Sequence, residues 1–116
     1  MQYDLEERTD VFGESVIDFV KKLSHNDYNK PLVSQVIRSA TSIGANYLEA
    51  NRASSKKDFR NKISICNKES NETKHWLRMI SRANPEKSDQ CRILWKEAHE
   101  LVLIFSKIFR SSTTAH

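Results

Sequence analysis

A chain of 116 residues fits one domain and can bury a single core without metal or disulfide staples. Two glycines and two prolines are too few for the turns of an all-β domain, and 29% charged with 9% aromatic residues excludes disorder. The net charge of +4 leans moderately toward polyanionic partners.

The first predicted helix runs from about residue 5 to 24. Phe12, Val16, Phe19 and Leu23 recur at helical spacing with Val20 beside them, forming one apolar face. Asp4, Glu6 and Glu7 in its opening turn and Lys21 and Lys22 in its last suit the helix dipole. The segment SHNDYNKP breaks the pattern with Asn, Asp and Pro.

The second helix is expected over about 31–53, with Pro31 as first residue, where its missing N–H costs nothing. Val33, Val36, Ile37, Ala40, Ile43, Gly44 and Tyr47 make its apolar face. Ser54 or Ser55 is the candidate N-cap of a third helix over about 56–83, whose core line is Phe59, Ile63, Cys66, Ser70, Thr73, Leu77 and Ile80. It stops at Asn84-Pro85, because a residue before proline is pushed out of the helical region.

Ser88 or the Asn84-Pro85 pair opens a fourth helix reaching about 111. There Cys91, Leu94, Ala98, Leu101, Phe105 and Ile108 follow a strict heptad, the mark of shallow bundle packing. Short connections place successive helices antiparallel, so the expected fold is an all-α, up-down-up-down four-helix bundle forming one domain over 1–116. Its core should include Phe12, Phe19, Ile37, Ile63, Leu77, Leu94, Leu101 and Phe105, and the tail SSTTAH should fray.

Cys66 and Cys91 sit on apolar stripes and read as small buried hydrophobes. The acidic opening MQYDLEERTD does not read as a signal peptide, so none is expected, and no apolar run approaches the ~18 residues of a membrane span. A cytoplasmic protein without membrane contact is expected.

Candidate chemistry is sparse. Glu72 and His75 give one E-x-x-H pair, but a di-metal bundle needs two on different helices, and Glu97, His99 and Glu100 do not supply the second. His25, His75, His99 and His116 are scattered, and no phosphate loop, CxxC pair or nucleophile elbow is present. No cofactor, metal or enzymatic activity is expected.

Helix two carries a second, polar stripe of Ser39, Ser42, Asn46 and Glu49. Helix three carries Lys62, Ile65, Glu69, Glu72 and Trp76 beside its apolar seam. Such second faces suggest another subunit as packing partner. Ser39, Ser42, Asn46, Glu49, Glu69 and Glu72 are expected to form one hydrogen-bonded network, with Arg8 or Arg38 as its cation. From Arg52 to Lys68 the positive residues are Arg52, Lys56, Lys57, Arg60, Lys62 and Lys68 against one acid, Asp58, with the first five as the candidate nucleic-acid contacts. Asp4, Glu6, Glu7, Asp10, Glu14 and Asp18 crowd the first helix against Arg8. The chain thus reads as having an acidic end and a basic end. A basic patch can bind phosphates, and the same asymmetry can steer subunits into a ring.

At these residues the chain resembles the small four-helix-bundle proteins encoded within intervening sequences of bacterial 23S ribosomal RNA genes. The resemblance rests on LEERTDVFGESVIDF, on IRSATSIGANYLEA with Arg38, Ser39, Ser42, Ile43, Asn46 and Glu49, and on FRNKISICNKESNETKHWL with Glu69, Glu72, Trp76 and Leu77. It implies a closed homopentamer without catalytic activity. It also implies kinship with accessory proteins of diversity-generating retroelements, basic pentamers associated with a reverse transcriptase and nucleic acid. The expected function is therefore a homo-oligomeric bundle contacting RNA or DNA through its basic residues; the alternative is a structural or protein-binding scaffold.

Overall fold

The computed structural model describes residues 2–112. The side chain of Asp4 and the tail beyond Ser112, with its expected fraying and His116, lie outside the described residues. Among the described residues there are four helices and no strand: α1 Gln2–Val20, α2 Asn29–Asn51, α3 Lys56–Ala83 and α4 Ser88–Ser111. They form an antiparallel bundle of 51 × 20 × 20 Å. Each helix packs on its chain neighbours and α4 closes back on α1, so α1 and α3 lie on one diagonal and α2 and α4 on the other. The α1–α4 seam is the loosest.

The helix boundaries differ from expectation at the first connection. The apolar spacing carries the α1 pattern to residue 24 through Leu23, and Leu23 is indeed buried. The backbone has already tightened there, with Lys22 N donating to Phe19 O and Leu23 N to Val20 O. Asn26 Oδ1 then accepts from Tyr28 N at 3.0 Å and Asn29 N at 2.8 Å. That side chain satisfies amides that a helix start leaves without partners, so α2 begins before Pro31, which sits inside the first turn. Ser55 caps α3, its Oγ accepting from Asp58 N at 3.0 Å. Asn84 ends α3, and a single 3-10 turn, Pro85–Lys87, leads straight into α4 at Ser88.

Phe12, Val16, Phe19, Val36, Ile43, Tyr47, Ile63, Leu77, Ile80, Leu101 and Phe105 fill one continuous core. Tyr47 and Phe105 come from diagonal helices and meet edge-on, ring centroids 5.7 Å apart. Ile37 and Leu94, expected in the core, are only half-buried and pack on its margin. Leu94 borders the loose α1–α4 seam, which leaves its outer side uncovered. The α1–α2 seam is tight because Gly44 faces Thr9 and Asp10, and Gly13 faces Ala40 and Thr41.

Two buried asparagines join the ends of the connections. Asn29 Nδ2 donates to Ser24 O at 2.8 Å and Asn84 Oδ1 at 3.1 Å, and Asn84 Nδ2 donates to Asn29 Oδ1 at 2.8 Å and Ile80 O at 2.9 Å. This pair ties the α1–α2 loop to the α3–α4 junction.

Candidate nucleic-acid interface

The polar stripes of α2 and α3 face each other within one chain. Arg38 reaches across to Glu69, 3.2 Å from Nη1, and to Glu72, 2.5 Å from Nη2. The Glu72 hydrogen bond comes first among the causes that raise the Arg38 pKa. Thr73 Oγ1 lies 2.9 Å from Ser39 Oγ and 2.8 Å from the Glu69 carbonyl, both serine and threonine fully buried. Glu49 pairs with Lys62 at 2.8 Å and raises the lysine's pKa. Asn46 turns back to the Ser42 carbonyl at 2.9 Å.

The expected single network is therefore three separate contacts across the seam, with Asn46 bonded within α2. Arg8 takes no part, since it forms a two-pronged pair with Glu97 of α4 at 2.7 and 2.9 Å. The stripe is thus used inside the bundle, and it does not by itself call for a second subunit. Periodicity marks a second face but cannot say whose helix covers it.

The five basic residues singled out from sequence also divide. Arg60 lays its guanidinium 4.0 Å over the Phe109 ring and donates to Ser112 Oγ at 3.0 Å, tying α3 to the end of α4. Lys62 serves Glu49. Arg52, Lys56 and Lys57 are exposed. Acidic Glu6 stands at the same end of the bundle, 2.7 Å from Asn51 Nδ2. The expected acidic and basic ends are accordingly not ends: antiparallel packing brings the start of α1 to the same end of the bundle as the start of α3.

Charge separates across the width of the bundle instead. The outer face of α3 is Lys57, Asn61, Ser64, Lys68, Asn71, His75, Arg78 and Arg82, all exposed and spaced alternately four and three. It carries no acid and no large apolar side chain, and it spans about 37 Å at 1.5 Å per residue. The acids of α3 (Asp58, Glu69 and Glu72) lie on its other sides. On the diagonal helix, α1 exposes Glu7, Asp10, Glu14 and Asp18. Counting charge along the chain takes in Lys68 but mixes faces; counting by heptad position joins it to Arg78 and Arg82.

Between α1 and α4 runs an open apolar groove of about 430 Å³ lined by Val11, Phe12, Ile93 and Leu94, with the Arg8–Glu97 pair at its edge. Ile93 is 68% exposed. A second groove of about 250 Å³ continues it past Ser15, Phe19 and Gln90.

Nothing among the described residues gathers three or more His, Cys, Asp or Glu side chains as a metal site would. Burial pushes the Cys66 thiol up to about 12 and the Cys91 thiol up to about 11, so both stay protonated. Among the described residues no helix is long and apolar enough to cross a membrane.

The model of the 23S rRNA-intervening sequence protein family matches residues 2–107. The chain is also similar to a crystal structure of a protein with unknown function from the S23 ribosomal protein family of Bacteroides thetaiotaomicron. The two are 30% identical with a TM-score of 0.78, over 90% of this chain and 96% of that one. No curated protein matches the chain.

Proposed function

The chain belongs to the 23S rRNA-intervening sequence protein family, and from that premise we propose a non-enzymatic, self-associating bundle that binds RNA or DNA through the outer face of α3. The observation that carries this reading is the acid-free line from Lys57 to Arg82, set diagonally opposite the acids of α1. A phosphate backbone can follow such a face with Lys68, Arg78 and Arg82 in turn, while the acids repel it from the far side. Contacts of this kind give affinity that falls with salt and carries little sequence information.

Self-association uses a different surface. Interface cores are depleted of charge and enriched in apolar groups, which fits the α1–α4 groove with Val11, Ile93 and Leu94 and not the α3 face. Assembly there leaves the basic faces outward and multiplies them. Five subunits is the number implied by the family resemblance. A cytoplasmic location agrees with two cysteines kept as buried thiols.

Light scattering should report a mass well above 13.5 kDa, and Ile93→Asp should lower it toward that value. Labelled RNA and DNA should bind in low salt. A wild-type monomer contradicts the assembly reading. An oligomer that binds neither nucleic acid at low salt favours the second reading, a scaffold for a protein partner, which the apolar groove would serve.

A further inference from the structure

Trp95 on α4 is 36% exposed, in a position where the helix turns toward the basic face of α3. Its indole is held in place. His99, one turn later, stacks on it at 13° and 5.3 Å between centroids, and Lys74 Nζ lies 4.6 Å from the indole centroid. Lys74 Nζ is also 3.0 Å from His99 Nδ1. An ammonium only donates, so Nδ1 is the acceptor in this contact. The indole is therefore a preset platform.

On the side away from His99, toward the start of α4, the indole borders a groove of about 210 Å³. Leu77 and Cys91 form its apolar floor, and Arg78 and Arg92 flank it. No acid lines it. Arg78 belongs to the α3 line and forms no ion pair among the described residues. Among the described residues Arg92 is held only by Asp89, 3.0 Å away with both side chains mostly in water, a contact readily exchanged for a phosphate.

We propose that this groove between α3 and α4 is a stacking site for one unpaired base of an RNA or DNA strand whose phosphates run along Lys68, Arg78 and Arg82. The inference rests on the nucleic-acid reading of the α3 face and narrows it to single strands. A flat aromatic face beside cations suits any base, because every base offers a π-face, and a duplex keeps its bases stacked inside. Neither Arg78 nor Arg92 reads a base edge in this arrangement, so the site is tolerant of sequence.

The test measures anisotropy of short labelled oligo(U), oligo(dT) and a duplex of equal length, in low salt. Trp95→Ala should weaken both single strands by about ten-fold or more and leave duplex affinity unchanged. Trp95→Phe should restore most of the loss. Unchanged single-strand affinity in Trp95→Ala overturns the stacking site while the charged face stands, provided that Lys68→Glu still weakens binding. An equal loss on duplex and single strand overturns it as well. Absence of wild-type binding to all three overturns the underlying reading and the stacking site with it.

Discussion

Replacing Asn84 by Ala removes one half of a dry amide pair, and the loss can be built up atom by atom. The Asn29–Asn84 bonds of 3.1 and 2.8 Å disappear. Asn29 Nδ2 keeps the Ser24 carbonyl, but Asn29 Oδ1 is left buried without a donor. Two modest bonds removed at ~1 kcal/mol each, with a stranded acceptor at ~1–3 kcal/mol, give ~3–5 kcal/mol. At ~4 °C per kcal/mol for a domain of this size, the melting midpoint falls by ~12–20 °C. Asn29→Ala should cost a similar amount. The double variant loses the two shared bonds once and strands neither amide, so its cost should fall well short of the sum of the two single costs. Thermal and urea unfolding, followed by far-ultraviolet circular dichroism at one protein concentration, measures all four corners of the cycle. Strict additivity would refute the reasoning, because it would mean that the two amides do not depend on each other.

Leu101, fully buried in the α4 heptad, should cost ~2–5 kcal/mol when replaced by Ala, and an unchanged melting curve would show the register of α4 to be wrong. A Cβ on Gly44 would come 2.9 Å from Asp10 Oδ1, the tip of an exposed side chain that can swing aside. Gly44→Ala should therefore melt at or slightly above the wild type, gaining up to ~1 kcal/mol of helix propensity, whereas Gly44→Leu should melt lower as its bulk meets the Thr9 backbone. Cys66 and Cys91 should resist iodoacetamide in the native state and react in denaturant. The fold keeps their protons while the unfolded chain releases them near the ordinary value of about 8.5, so stability should fall as pH rises from there toward about 11. A flat or rising stability over that range would contradict burial of the thiols.

The fold is legible in the sequence because each helix repeats its apolar residues at one face, and Phe12 to Phe19 or Cys91 to Phe105 leave no other period to choose. Boundaries fail where burial and backbone part company: Leu23 is a core residue after the helix has ended. Asn29 and Asn84 look like turn residues, since an asparagine within two residues of a proline carries no sign of being buried. The polar stripe is visible as a stripe, but Arg38, Glu69 and Glu72 meet only when α2 lies beside α3. The basic site is the least legible. The run from Arg52 to Lys62 is compact in sequence, yet folding spends Arg60 on Phe109 and Lys62 on Glu49. The residues that share one open face are spread from Lys57 to Arg82.

The salt dependence of nucleic-acid binding tests the central claim most directly. The wild type should bind a single strand with log affinity falling linearly in log salt. Replacing Lys68 and Arg82 by Ser should reduce that slope by about 1.4 for each subunit engaged, at ~0.7 for every phosphate no longer neutralised. The oligomer mass should stay unchanged. A slope identical in wild type and variant, or no wild-type binding at low salt, would contradict the assignment of the α3 face.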